Sequence, residues 1–431
     1  MCGYYYSDLK HCTTTENLQR RGPEEWKVLD HEFGKFGHSL LNTIGDKTEQ
    51  PLMTDKGILL YNGSVYNFGS VNDTKHIADN LTDNLNQCVE FIKTLNGEYS
   101  LTWVTEKFVI FCTDQFAVRP LYFYSDEDNI SISSLSDALD FCPTQIKCQE
   151  NKIYVYNRVA KHINIFQNTV WNLDQKDTSY DNTFNTFEQA VKDRHDNSVY
   201  AISGGHDSGV IACCANKLFD NAVFVNNVPN EERDIITTRR SKHKIKFVNY
   251  KVDNIHIDTD NLYRITGNEE IYNEMATLGQ SAYIQRYMLP YNRKTLITGD
   301  GGDEVYADYG YKGSKIRAYS KFGGYFPNNL HTVWPWHNHQ NVLARFVQRT
   351  EIVGGYWGIE LRLPLLDKRL VQAWLNTTAK LKNQEYKGWM AEYMKAHDYP
   401  FQLVKIGYSE RFKQPVILTQ EKDHSGKQRS S

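Results

Sequence analysis

Six consecutive residues, Ser203-Gly204-Gly205-His206-Asp207-Ser208, have the types and order needed to hold a polyphosphate. They follow the apolar run Val199-Tyr200-Ala201-Ile202 and lead into Gly209-Val210-Ile211-Ala212, which reads as strand, glycine turn and helix start. Gly204 and Gly205 permit positive φ and let a ligand approach the backbone. Amides at a helix N-terminus favour a negative group. Asp207 is an acid in a place suited to anions, which makes sense if it holds a metal bridging to phosphate. The expected ligand is pyrophosphate, part of a nucleotide, to whose oxygens Ser203 and Ser208 would donate. An ordinary Gly-rich turn with a capping Asp is the plain alternative. No Gly-Lys-Ser/Thr follows, so this is not a Walker loop. A second centre lies at Met1-Cys2-Gly3. Removal of Met1 ahead of a small residue would leave a cysteine carrying both a thiol and an α-amine, so nucleophile and base share one residue.

The six-residue turn resembles the PP-loop of ATP pyrophosphatases, which cleave ATP between the α and β phosphates. Other segments, in order along nearly the whole chain, resemble glutamine-dependent asparagine synthetases. They include Arg20-Arg21-Gly22-Pro23, Gly37-His38, Tyr61-Asn62-Gly63-Ser64-Val65-Tyr66-Asn67, Asn72-Asp73-Thr74, Gly299-Asp300-Gly301-Gly302-Asp303-Glu304 and Gly358-Ile359-Glu360-Leu361-Arg362-Leu363-Pro364. The resemblance implies that Cys2 attacks the amide of glutamine, with Asn62 and the Gly63 amide as oxyanion hole and Asp73 on the substrate ammonium. It implies Asp207 and Asp303 as Mg²⁺ ligands and Gly299 and Gly301 beside ATP. Asp300, where the family has glutamate, would position or deprotonate ammonia or sense the adenylate, and Lys405 would offset charge on the pyrophosphate or acyl-adenylate. Glu360 and Arg362 are either acceptor-pocket residues or an ion pair. The chain departs from the family at Leu40, where the family places a carboxylate-gripping arginine, and at Ser64, where it has Glu; either Arg20, Arg21 or Arg119 replaces the arginine, or glutamine binds poorly, or the domain accepts a different amide. His206, in place of an apolar residue, reads as a packing or ribose contact.

The implied activity is amidation of a carboxylate, aspartate to asparagine first, using ATP and Mg²⁺, glutamine-derived ammonia and adenylate chemistry. A different small carboxylate or peptide acceptor, or a non-catalytic binding homologue, are the alternatives. Small-molecule substrates are the expected partners, with a homodimer as the assembly to test.

Composition bounds these readings. The 431 residues are 40% hydrophobic with net charge −3, enough for two domains with sizeable cores. No basic block points to nucleic acid, no apolar stretch to a membrane span, and no signal pattern opens the chain. A cytoplasmic protein is expected. The eight cysteines form no Cys-x-x-Cys pair, so free thiols are expected.

The elements that must position the two centres are of two kinds. From Tyr4 to about Arg158, short strands such as Gly57–Tyr61, Ser100–Val104 and Lys107–Cys112, separated by turn residues, predict a sandwich of antiparallel sheets with flanking helices, notably over 74–94. This α+β domain is placed at 2–160. Polar residues 161–184 read as a linker. Residues 185–420 read as a doubly wound parallel α/β domain with a helical C-terminal part, ligands lying at the strand C-termini. The polar end, 421–431, reads as disordered.

Overall fold

The computed structural model describes residues 1–9, 15–69, 72–226, 233–248, 255–337 and 342–402. Lys405 and the tail 421–431 lie outside the described residues.

The amino-terminal half is a sandwich of two antiparallel six-stranded sheets. The strands are β1 (Gly3–Ser7), β2 (Glu25–His31), β3 (Gly34–Leu40), β4 (Leu52–Met53), β5 (Ile58–Val65), β6 (Gly97–Val104), β7 (Phe108–Thr113), β8 (Tyr122–Ser125), β9 (Ile130–Ser133), β10 (Ile146–Lys147), β11 (Lys152–Asn157) and β12 (His162–Gln167). The first sheet runs β10-β8-β9-β1-β3-β2 and the second β12-β11-β7-β6-β5-β4. Tyr4, Tyr6 and Phe36 of one sheet pack on Leu60, Val109 and Phe111 of the other. Alternation puts Leu59, Tyr61 and Val65 on the opposite face, under two helices, Asp73–Asn80 and Leu85–Thr94. The sequence suggested one helical stretch there; the chain breaks it in two at Leu81, whose backbone is extended. Strand β12 lies inside the segment read as linker and pairs with β11 from Lys152↔Gln167 to Asn157↔His162. Its HINIFQ alternation supplies the strand, mostly on an exposed edge. The remainder of that segment joins the halves: Trp171 packs on Phe116 of the first and Trp334 of the second, and Asp177 bridges to Thr377.

The second half is a five-stranded parallel sheet of β13 (Val199–Ala201), β14 (Val223–Asn226), β15 (Ile245–Phe247), β16 (Thr295–Ile297) and, after the short hairpin β17 (Gly310–Tyr311) and β18 (Ser314–Lys315), β19 (Glu360–Arg362). Its order is β15-β14-β13-β16-β19. Both faces are largely buried except at the edge strand β15. Tyr200, Phe224, Ile297 and Leu361 face one core and Val199, Val225 and Leu296 the other. Helices His206–Leu218 and Glu274–Tyr287 contribute to these two cores respectively. The order reverses between β13 and β16, and it is at the strand C-termini of such a reversal that sheets of this kind bind ligands. Among the described residues no helix is long and apolar enough to cross a membrane.

The two halves meet across buried charge. Arg194 donates to Glu98 at 2.9 Å and to Asp367 at 2.7 Å, and Asn96 donates to Asp367 at 3.0 Å. Arg21 pairs with Glu351, and Arg119 donates to Leu361 O at 2.7 Å. Met1 has no exposed surface and packs among Phe116, Val118 and Leu361.

Candidate active site

Two centres emerge, one in each half. At the first, the backbone N–H of Cys2 donates to Asn62 Oδ1 at 2.9 Å. That bond fixes the amide of Asn62, and its Nδ2 is then buried without a hydrogen-bond partner. A buried donor left unpaired is costly and is what an oxyanion would take. Gly63 follows at φ +139°, and a Cβ there would strike the Glu98 carbonyl, so only glycine carries β5 through this point. The thiol donates to Leu41 O at 3.7 Å and accepts from Leu41 N at 3.4 Å. Burial pushes the Cys2 thiol up. The α-amine belongs to Met1, and burial pushes it down to about 5. A neutral amine is a proton acceptor, which is the property the sequence assigned to a processed Cys2.

Other expected residues behave differently. Asp73 accepts from Tyr61 Oη at 2.7 Å, Val65 N at 3.1 Å and Thr74 N at 2.8 Å, so its carboxylate already braces β5 against the following helix. Burial pushes it up to about 6. Leu40 is buried. The three arginines considered in its stead are engaged elsewhere. Arg20 bonds the exposed Glu16, Arg21 bonds Glu351 and Cys2 O, and Arg119 bonds Leu361 O and Met1 Sδ. His38 reaches Tyr61 O at 3.1 Å through Nε2, while burial lowers its imidazole to about 4. A carbonyl only accepts, so Nε2 carries the proton. The carbonyl it meets belongs to the residue before Asn62.

The second centre sits at the C-terminal ends of β13 and β16. Neither Gly204 nor Gly205 takes positive φ; Gly205 caps the helix at φ −66°. The turn instead folds on its serines: Ser203 N donates to Ser208 Oγ at 2.9 Å and the two hydroxyls are 2.8 Å apart. Arg239 clamps it from outside through Ser203 O and Gly205 O. Left-handed backbone appears in the facing turn, at Gly301 with φ +93°. A Cβ at Gly299 would come within 2.9 Å of Asp207, and one at Gly302 would fall on its carboxylate. Those glycines let the two turns touch. Asp207 and Asp303 thereby converge on one ammonium: Lys387 Nζ lies 2.5 Å from Asp207 Oδ1 and 2.7 Å from Asp303 Oδ1. Tyr386 Oη donates to Asp303 at 2.8 Å. Burial alone would lower the Lys387 ammonium, but the two carboxylates outweigh it and raise it. Asp300 accepts from Thr298 Oγ1 at 2.7 Å, on the same turn. His206 is buried, edge-on to Tyr386 and Phe401.

Lys387, Tyr386 and Arg239 were not anticipated. No motif marks them: Lys387 is a lone lysine ahead of the helix Gly388–Ala396. Among the described residues, no cluster of three or more His, Cys, Asp or Glu side chains could hold a metal. Asp207 and Asp303 offer two carboxylates, with the Lys387 ammonium between them.

Residues 5–178, less than half of the chain, match the family model of the glutamine amidotransferase domain. No curated protein matches. Among solved structures, the chain is similar to a glutamine phosphoribosylpyrophosphate amidotransferase from B. subtilis complexed with ADP and GMP, at 15% identity and TM-score 0.31 over 57% of this chain and 65% of that one. It thus spans just under two thirds of that relative. A structure described as the allosteric regulatory enzyme of purine biosynthesis is similar at 13% identity and TM-score 0.30, over 71% of this chain and 76% of the other. At such scores neither likeness bears on what this chain does.

Proposed function

We propose, from the glutamine amidotransferase domain matched over residues 5–178, that the chain is a two-site amidotransferase of the asparagine synthetase kind. In this reading Cys2, freed of Met1, attacks the carboxamide carbon of glutamine. Its α-amine takes the thiol proton and Asn62 Nδ2 with the Gly63 amide meets the oxyanion. Ammonia leaves, and water hydrolyses the thioester to glutamate and free thiol. In the second half the acceptor carboxylate, aspartate first, attacks the α-phosphorus of ATP and pyrophosphate leaves. Ammonia then displaces AMP from the acyl carbon.

The chain's own residues divide this work. The 203–208 turn and Gly299–Gly302 cradle phosphate, and Lys387 offsets its charge. Asp207 and Asp303 would hold Mg²⁺, which when bound neutralises the phosphates. Asp300 would orient the ammonia, and Lys405 remains part of the proposal. The observation that carries the reading is the convergence of Asp207 and Asp303 on one ammonium at the crevice where the sheet order reverses.

The engagement of Arg20, Arg21 and Arg119 favours a second reading of the nitrogen source, free ammonium. One assay tests both. The protein is incubated with ATP, Mg²⁺ and single amino acids, with glutamine or ammonium, and pyrophosphate is followed. Release with aspartate is expected. Release only with another acid reassigns the acceptor, and no release under any condition defeats the ligase reading.

A further inference from the structure

We propose that Glu360, a residue of the carboxy-terminal half, is a positioning residue of the Cys2 site: its two carboxylate oxygens hold the two walls between which the thiol lies. This rests on the glutaminase reading of Cys2. Glu360 Oε2 accepts from Thr43 Oγ1 at 3.0 Å, and Thr43 lies two residues beyond Leu41, whose backbone grips Cys2 Sγ. Glu360 Oε1 accepts from Ser64 Oγ at 2.7 Å, and Ser64 directly follows Asn62-Gly63. The thiol wall and the oxyanion wall therefore depend on one side chain.

That side chain is itself fixed. Arg362 Nε donates to Glu360 Oε1 at 2.8 Å, and Arg362 Nη2 reaches Thr43 O at 3.4 Å. Lys294, at the start of β16, supports the same loop through Asn42 O at 3.1 Å and pairs with Glu24 at 2.7 Å. Glu360 is 1% exposed. Burial opposes its charge, but Arg362 and Arg119 outweigh burial and hold it ionised. An ionised carboxylate only accepts, which suits three donors arriving on two oxygens. The sequence offered Glu360 as an acceptor-pocket residue or an ion pair. The ion pair is present, and the remaining bonds reach the amino-terminal half. Ser64, a departure from the resembled family, is a short hydroxyl that leaves room for this incoming carboxylate.

Two substitutions separate the roles of charge and reach. Glu360→Gln keeps the volume but turns one acceptor into a donor, so one wall loses its partner. Glu360→Asp keeps the charge but shortens the span. In the full chain, iodoacetamide alkylation of each cysteine is followed by mass spectrometry. Both variants are expected to alkylate Cys2 at least fivefold faster, with Cys88, Cys112, Cys142, Cys148, Cys213 and Cys214 unchanged. Their glutamine-dependent kcat should fall by about tenfold or more, since small misplacements are costly at a reacting centre. An unchanged Cys2 rate in both variants, or all cysteines rising together, overturns the proposal. If Cys2 is exposed in the variants but the wild-type chain does not hydrolyse glutamine, the positioning stands and the glutaminase reading falls.

Discussion

Lys387 Nζ sits 2.5 Å and 2.6 Å from the two carboxylate oxygens of Asp207. A buried ammonium in that position is a fixed internal cation beside the 203–208 turn. Removing it leaves Asp207 and Asp303 facing each other without that cation, with Tyr386 still donating to Asp303. Lys387→Met should therefore destabilise the chain by about 3–5 kcal/mol in urea unfolding. Added Mg²⁺ should recover more stability in this variant than in the wild type, because the ion offers the missing charge. Equal Mg²⁺ responses would show that the two carboxylates do not bind it.

Asp207→Asn keeps the shape of the turn and loses its charge. Pyrophosphate release should drop at least a hundredfold with either glutamine or ammonium. Full release in this variant would place the metal-holding group elsewhere.

Cys2→Ala should abolish glutamine-dependent turnover while ammonium-dependent turnover persists. Asn62→Ala should lower glutamine-dependent kcat by about 10²–10³-fold, the usual effect of losing one oxyanion donor. Steady-state kinetics with the two nitrogen sources decides both. An Asn62→Ala enzyme that changes only KM would make Asn62 a binding residue instead.

Acid should weaken the seam between the halves. Arg362 and Arg119 overcome the burial of Glu360 and hold its carboxyl at about 2, below its ordinary 4.5. Asp367 is held lower still by Arg194 and Arg369 despite burial. Both are depressed, so their contribution is full above about pH 4.5 and is lost as pH falls towards 2. Urea midpoints between pH 6 and pH 3 should fall steeply in the wild type and less in Glu360→Gln. Parallel slopes would assign the acid sensitivity to other groups.

Much of this design was legible in the sequence, for physical reasons. The apolar run Gly57–Tyr61 marks a strand, which the structure buries on both faces, and Gly-rich turns after short apolar runs mark strand ends. The aspartates were legible because each sits on a turn of distinctive composition. Lys387 was not, because its partner Asp207 is 180 positions away and nothing local depends on the pairing. The destination of Glu360 was hidden for the same reason: its bond to Ser64 spans 296 positions. Gly204 and Gly205 were read for left-handed backbone, yet that strain falls on Gly301, since the serine pair already closes the 203–208 turn. The linker was drawn too early because β12 is an exposed edge strand whose polar residues mimic a loop.

The buried ion pairs of Arg194 with Glu98 and Asp367 have a practical consequence for handling the molecule. Water and dissolved ions do not reach them, so brine will not pry the halves apart. A protease nick in the stretch after β12 should leave two fragments that still co-elute on a sizing column until a denaturant is added.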